Sequence, residues 1–285
     1  MYRSKERGRK RISLVREIKI PIFVTDIISD SLASKFRCVM KRNYPVGIQN
    51  FEKIRSGNYC YIDKTELIYK LVKSGQYYFL NRPRRFGKSL LISTLEAYFQ
   101  GKKELFEGLA LETLEKEWTE YPILHLDLNA QKYDTSDSLY GILNDALCGW
   151  EAMYETRPSE TSLSLRFQGV IQRAAEKWGR NVVVLIDEYD KPMLQAIGND
   201  ELLADYRNTL KAFYGVMKSC DRYIKFALLT GVTKFSKVSV FSDLNNLMDI
   251  SMSNRFANLC GITEKELYSN FKEDIIELGQ QNKLT

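Results

Sequence analysis

The sequence contains a single histidine, His125, among 285 residues. A metal centre built from several histidines is therefore excluded, and so is a catalytic relay that needs a second histidine. Hydrolytic chemistry in this chain would have to rely on carboxylates, lysine, arginine or a bound Mg²⁺. His125 lies between Leu124 and Leu126 in an apolar stretch, and this position favours a packed side chain over a catalyst.

Cysteine pairs and long apolar runs are also missing. The cysteines are odd in number and none forms a CxxC pair, so they fit neither a disulfide framework nor a zinc ribbon and favour the reducing cytoplasm. The N-terminal apolar run at residues 20–28 is interrupted by Asp26. It is too short to cross a bilayer and has no signal-peptide cleavage pattern, so no membrane partner is expected. The cysteines are Cys38, Cys60, Cys148, Cys220 and Cys260.

The basic charge is confined to one end of the chain. Residues 1–43 carry 12 basic and 4 acidic side chains, a net charge of +8, whereas residues 44–285 carry 30 and 32, a net charge of −2. The basic block at residues 3–11 has no apolar periodicity, which is typical of a solvated, disordered tail. A polyanion-binding arm is the alternative, and a native start at Met40 is a third interpretation.

The remaining 242 residues show strands that alternate with helices, and this pattern predicts an α/β three-layer domain with a mostly parallel central sheet. The run at 182–186 is apolar throughout, which suits a strand buried on both faces. The predicted strands are 77–80, 123–128, 182–186, 225–230 and 248–252, and the predicted helices are 65–73, 90–99, 136–154, 163–178, 200–217 and 265–278.

A phosphate-binding loop is predicted between the first of these strands and the helix that follows it. Gly87, Lys88 and Ser89 supply a flexible backbone, a lysine that can reach the β and γ phosphates and a hydroxyl that can hold Mg²⁺. In the full pattern G-x-x-x-x-G-K-[ST], the first glycine is replaced by Arg82. A positive φ angle there would be costly for arginine, so either the loop takes a different path or nucleotide binding is altered.

Two acids follow the apolar strand at 182–186, about a hundred residues after the loop. Asp187 can hold Mg²⁺, and Glu188 can polarise the water that attacks the γ-phosphate. The alternative is that both acids only cap the strand end and pair with Lys191. Thr230 is placed to sense the γ-phosphate if its strand lies between the other two, although a simple strand-end hydroxyl is also compatible.

Several other residues are weaker candidates. Arg84 and Arg85 flank the loop and can contact a polyphosphate, or they can form a solvated basic loop. With Arg82 and Lys88 they form a positive cluster where a phosphate chain should lie. Asp127 either faces the site or caps a turn. Arg255 is a candidate arginine finger or lid contact.

Five motifs in order carry a resemblance to a known family. The chain resembles the bacterial AAA-ATPase-like family, whose P-loop ATPase domain is commonly followed by a PD-(D/E)xK nuclease-like domain. The resemblance covers about residues 41–285. The motifs are residues 44–55, 61–65, 79–89, 185–190 and 230–235.

The resemblance implies a P-loop NTPase fold with a helical C-terminal extension. It implies that the arginine at 82 is a variant of the family, and that Asp63 and Lys64 pack near the nucleotide. It also implies that 235–249 and 258–266 belong to the extension. The expected division is a basic tail at 1–43, an ATPase core at 44–235 and an extension at 236–285. The resemblance also leads us to expect a C-terminal region that is truncated before the nuclease-like domain.

The sequence therefore predicts an Mg²⁺-dependent P-loop ATPase. The predicted catalytic residues are Lys88, Glu188 and Thr230, and the metal is assigned to Ser89 and Asp187. The alternatives are a nucleotide-binding interaction or signalling module with little turnover, and a nucleic-acid-binding protein that relies on its tail. A homo-oligomer is a further possibility. The predicted nucleotide-binding residues are Asp63, Arg84, Arg85, Phe86, Gly87, Lys88, Ser89 and Leu90.

Overall fold

The structure is a computed structural model that describes residues 43–233 and 246–282. The basic tail and most of the segment 235–249 lie outside the described residues. The strands are β1 (Tyr77–Asn81), β2 (Ile123–Asp127), β3 (Val182–Asp187), β4 (Ile224–Gly231) and β5 (Met248–Asp249). The helices are α1 (Phe51–Ser56), α2 (Thr65–Ser74), α3 (Lys88–Phe99), α4 (Ala110–Leu114), α5 (Ser136–Tyr154), α6 (Leu163–Trp178), α7 (Lys191–Gln195), α8 (Asp200–Ser219) and α9 (Glu264–Gln281).

The five strands form one sheet in the order β2-β3-β4-β1-β5, and all neighbouring pairs are parallel. The predicted parallel sheet is confirmed, and β4 does lie between β3 and β1. Parallel strands bring their carboxyl ends to one edge, where Asn81 is opposite Gly231 and Asp127 is opposite Asp187. β5 comes from beyond residue 235, so the sheet draws on both sides of the expected domain boundary.

Successive side chains of β3 enter two separate hydrophobic clusters. Val182, Val184 and Ile186 pack with α5, α6 and α8, whereas Val183 and Leu185 pack with α2 and α3 on the opposite face. Because side chains alternate along a strand, only a strand covered on both faces can be apolar at every position. This confirms the predicted three layers.

The ends of the helices follow local capping chemistry. α5 and α6 begin and end at the predicted residues. The Ser162 side chain accepts the amide of Leu165 at the start of α6, and Gly179, with φ 60°, ends that helix. α3 begins two residues earlier than predicted, at Lys88. β5 is shorter than predicted because the chain turns after it, where the amide of Ser253 donates to the carbonyl of Ile250.

The first described residues pack against the last helix. The Tyr44 hydroxyl donates to Asp274 at 2.9 Å, and its ring stacks on Phe271 at 5.7 Å. The Lys64 ammonium lies 2.5 Å from the Glu266 carboxylate. The two ends of the described chain are therefore joined through α9.

A buried carboxylate, that of Glu115, contacts both α2 and α3. It accepts hydrogen bonds from the Tyr98 hydroxyl at 2.5 Å and from the amide of Lys116 at 2.9 Å, and it pairs with Lys73 at 3.1 Å. Burial alone would raise its pKa, but these partners outweigh burial and lower the pKa to about 2. The network therefore stabilises the fold only while Glu115 is ionised.

We expect Glu115→Gln to lower the free energy of unfolding at pH 7 by about 2 kcal/mol. A depressed carboxyl pKa stabilises the fold above the ordinary value of 4.5, and this contribution is lost as the pH falls from 4.5 toward 2. Urea unfolding at pH 7 and pH 3 measures the difference between wild type and variant, with exposed Glu104→Gln as the control. A difference that does not shrink at pH 3 would contradict the assignment.

Candidate functional site

The loop between β1 and α3 bends at two residues with positive φ angles, Arg85 at 67° and Gly87 at 86°. Arg82 is not among the positive-φ residues of the described chain, so an arginine at the position of the first glycine strains nothing in the backbone. The loop takes a path on which the costly conformation falls on Arg85. Gly87 caps α3 in the left-handed region, which leaves the first amides of the helix directed into the loop.

The Lys88 ammonium lies inside the curve of the loop. It donates to the carbonyls of Arg82 at 3.2 Å and Pro83 at 3.5 Å, and it lies 3.1 Å from the Glu188 carboxylate. Only 3% of the side chain is exposed. The phosphate-loop lysine and the acid after β3 are thus in direct contact, which the sequence order alone could not establish.

The two acids after β3 have different surroundings. Asp187 is buried and its Oδ1 accepts from the Thr230 hydroxyl and from the amide of Glu188. Glu188 has a φ angle of 54°, a conformation that is uncommon for a residue with a side chain. Burial raises the pKa of Glu188, and Asp187 adds to the rise, while the contact with Lys88 opposes it. A carboxylate held this way is a better proton acceptor than an exposed one.

Thr230 lies at the end of β4, fully buried, and its hydroxyl is directed to Asp187. The condition set by the sequence, that β4 lies between β3 and β1, is met. The described contact links this threonine to the predicted metal ligand. Its role as a sensor of the γ-phosphate stays a prediction.

Sequence reasoning assigned no role to Asp190, the last acid of the motif at 185–190. It is completely buried and accepts the amides of Val232 and Thr233 at 3.0 and 2.7 Å and the Thr233 hydroxyl at 2.8 Å. The neighbouring Tyr189 donates its hydroxyl to the carbonyl of Thr233. These two residues hold the chain after β4 against the end of β3. The signal that the sequence offered was the presence of three acids within four residues, Asp187, Glu188 and Asp190.

The loop arginines do not all face the same way. The sequence placed Arg82 in the phosphate cluster, and the structure corrects this: its guanidinium donates to the carbonyls of Ser251 at 2.6 Å and Ala257 at 3.3 Å. Those carbonyls belong to a different segment, so Arg82 is turned away from the loop interior. Arg84 and Arg85 are exposed, as is Phe86, whereas Ser89 and Leu90 are half-buried at the start of α3.

Asp63 and Lys64 lie at the start of α2. Asp63 accepts the amide of Thr65 at 2.8 Å and the amide of Ala110 at 2.8 Å, so it joins α2 to α4. Lys64 pairs with Glu266 of α9. Asp63 and Lys64 therefore connect helices within the fold. Their proximity to the nucleotide stays a prediction.

The alternative interpretation of the two acids was that they cap the strand end and pair with Lys191. The Lys191 ammonium instead contacts Asn129, at 2.7 Å to its carbonyl and 2.6 Å to its side chain, so the expected pairing with Lys191 is wrong. Asp187 does accept the amide of Glu188 at the end of β3, as the capping part of that interpretation expected. Asp127 accepts the amide of Asn129 and therefore caps a turn.

The other weak candidates also have structural neighbours. His125 Nδ1 lies 3.4 Å from the Glu96 carboxylate. Burial opposes the charged form of His125, but Glu96 outweighs it and raises the pKa of the imidazole. The Arg255 guanidinium lies over the Phe256 ring at 5.2 Å. No described contact brings Arg255 to the loop.

The parallel sheet, the loop before α3 and the acids after β3 define a P-loop NTPase. Residues 45–241 match the model of the family described as "Predicted AAA-ATPase". Because this match covers more than half of the chain, the protein belongs to that family, as the motifs indicated. Membership in this family supports nucleotide binding and a predicted ATPase activity.

The chain is also similar to a curated protein from Azotobacter chroococcum mcd 1 that is described as "Uncharacterized protein in vnfD 5'region". The two are 39% identical over 237 residues, which is 82% of this chain and 46% of that protein. The chain thus spans less than half the length of this relative. No solved structure matches the chain. Within residues 43–233 and 246–282, none of the helices has the length and apolar character needed to cross a membrane.

Proposed function

We propose that this protein binds ATP with Mg²⁺ at the loop between β1 and α3 and hydrolyses it. The observation that carries the proposal is the 3.1 Å contact between Lys88 and Glu188. It supports one site in which the lysine that would neutralise the β and γ phosphates and the acid that would activate water are neighbours. Arg84, Arg85 and the amides of the loop would add positive potential around the phosphate chain.

In the proposed reaction, water attacks the γ-phosphorus and the bond to the β-phosphate oxygen breaks, which releases ADP and phosphate. Glu188 accepts the proton of the attacking water, and its raised pKa suits this task. Lys88 exchanges its contact with Glu188 for the phosphates, and this exchange frees the carboxylate. Thr230 would keep Asp187 oriented and contact the γ-phosphate.

The residues assigned to Mg²⁺ have suitable chemistry. Mg²⁺ prefers hard oxygen ligands, and Ser89 and Asp187 offer a hydroxyl and a carboxylate. The two described hydrogen bonds of Asp187 both fall on Oδ1, so Oδ2 is the oxygen that can turn toward a cation. When bound, the metal would neutralise charge that develops on the β and γ phosphates.

We expect Lys88→Ala to weaken ATP binding at least about tenfold, because a buried charge-assisted contact to phosphate is lost. Titration calorimetry with Mg²⁺ and a non-hydrolysable ATP analogue measures the dissociation constant. Lys218→Ala is the matched control, since Lys218 is an exposed lysine at the far end of α8. Equal affinity in wild type and Lys88→Ala would remove the assignment of the site.

A nucleotide-dependent switch with little turnover is the second candidate. The same ion pair favours it, because Glu188 is engaged by Lys88 and has an uncommon backbone conformation. Such a protein would bind ATP stoichiometrically and retain it unhydrolysed. Rapid filtration of the protein with bound radiolabelled ATP, sampled over an hour, would distinguish the two functions: a switch would retain ATP, whereas an ATPase would convert it to ADP and phosphate.

A further inference from the structure

The side chain of Arg82 is directed away from the interior of the phosphate loop. Its Nη1 donates to the carbonyls of Asn81 at 3.0 Å and Ser251 at 2.6 Å. Its Nη2 donates to the carbonyls of Phe256 at 3.5 Å and Ala257 at 3.3 Å. Three of these four acceptors belong to the segment that follows β5, and two lie at the end of the short helical turn Asn254–Phe256, where carbonyls carry partial negative charge.

The main chain of Arg82, in contrast, belongs to the phosphate loop itself. Its carbonyl accepts from the Lys88 ammonium at 3.2 Å, and its amide donates to the carbonyl of Gly231 at 3.1 Å. One residue therefore touches the phosphate-loop lysine, the end of β4 and the segment 251–257. A glycine at this position, as in the usual loop pattern, would have no side chain with which to reach that segment.

The far end of the loop has a second tie to the same segment. The amide of Gly261 donates to the carbonyl of Phe86 at 3.1 Å. Residues 251–261 thus contact the loop at both residue 82 and residue 86. Ser251 adds a third contact, since its hydroxyl accepts the amide of Asn81 at 2.9 Å. Residues 251–261 therefore pack along the loop from residue 81 to residue 86.

We propose that Arg82 is a positioning residue of the phosphate loop: it anchors the loop to residues 251–257 and so sets the loop shape that receives phosphate, without contacting nucleotide itself. The guanidinium suits this task because its planar fork holds Nη1 and Nη2 in a fixed arrangement toward separate carbonyls, a geometry that the ammonium of lysine does not reproduce. The inference rests on the proposed nucleotide site and assigns a task that the usual loop glycine cannot perform.

Three substitutions separate this role from the alternatives. Arg82→Ala removes the fork, Arg82→Lys keeps the charge without the fork, and Arg82→Gly restores the ordinary loop pattern. The exposed residue Arg157 provides the control, Arg157→Ala. We expect all three Arg82 variants to weaken binding of Mg²⁺ and a non-hydrolysable ATP analogue by about tenfold, the loss that corresponds to one or two hydrogen bonds.

A second measurement needs no nucleotide. Hydrogen exchange of peptides covering residues 246–261 should accelerate about tenfold in each Arg82 variant, because the segment loses its anchor. Exchange in α5 and α6 should stay as in wild type, which checks that the fold persists. If Arg82→Ala unfolds the protein, Arg82→Lys serves alone, since its ammonium can still donate to the carbonyl of Ser251.

Two results would overturn the inference. Wild-type affinity in Arg82→Lys with accelerated exchange at 246–261, together with weak binding in Arg82→Ala, would mean that the charge acts directly on phosphate. Wild-type affinity in Arg82→Gly, or unchanged exchange at 246–261 in all variants, would mean that the anchor is unnecessary. If wild type binds no ATP analogue, the proposed function fails, and the exchange measurement alone then decides whether Arg82 anchors the loop.

Discussion

Replacing Glu188 by glutamine is expected to lower the rate of ATP hydrolysis by about 10²–10³-fold, the usual contribution of a general base. Glutamine keeps the shape of the side chain but cannot accept the proton of the attacking water. ATP affinity should be retained or increased, because Glu188 no longer competes with phosphate for the Lys88 ammonium, which lies 3.1 Å away. The variant would therefore separate binding from chemistry at one site.

Single-turnover hydrolysis with enzyme in excess measures the chemical step, and calorimetry measures the affinity. Glu176→Gln is the matched control, because Glu176 is an exposed glutamate on α6. Because burial raises the pKa of Glu188 above its ordinary value of 4.5, the rate should fall with decreasing pH at a midpoint above 4.5 in wild type. Undiminished turnover in Glu188→Gln would exclude this residue as the base.

Replacing Asp190 by alanine is expected to lower the free energy of unfolding by about 3–5 kcal/mol, because two backbone amides and a hydroxyl of half-buried residues lose a fully buried charged acceptor. The amides of Val232 and Thr233 have Asp190 as their described partner. The alanine side chain cannot accept a hydrogen bond. The neighbouring Gly231 has no side chain that could fill the space left by the carboxylate. The end of β4, which carries Thr230, should lose its fixed position as well.

Urea unfolding measures this loss, provided that the dependence of the unfolding free energy on urea concentration is the same in both proteins. The control is Asp145→Ala, because Asp145 is exposed on α5, and its free energy of unfolding is expected within about 0.5 kcal/mol of wild type. Asp190→Asn should be milder, because its amide oxygen still accepts one or two bonds. A cost below about 1 kcal/mol for Asp190→Ala would show that the chain after β4 is held by other contacts.

The regular elements were largely predictable, because they depend on local patterns. The apolar run of β3 indicated a strand covered on both faces, and the predicted range 163–178 matches α6, whose ends are capped by Ser162 and Gly179. The sequence also placed the loop and the acids each directly after a strand of a mostly parallel sheet. Periodicity and caps are short-range features, so a single sequence contains them.

The contacts across the site were less predictable. Nothing in the residues near Arg82 indicates that its side chain reaches residues 251–257, some 170 positions later in the chain. The burial of Asp190 likewise depends on how the ends of β3 and β4 are arranged, and the contact of Lys191 with Asn129 depends on the ends of β3 and β2. Side chains beyond a strand end have no periodicity to fix their direction, so tertiary packing decides where they lie.

The two hydrophobic clusters on either face of the sheet have a consequence for spectroscopy. Trp150 lies in the cluster of α5, α6 and α8, whereas Trp118 packs against the cluster of α2 and α3. The third tryptophan, Trp178, is 43% exposed at the end of α6. Variants that retain only Trp150 or only Trp118 would let fluorescence follow each helical layer separately, since each indole would report on the packing of its own side of the sheet.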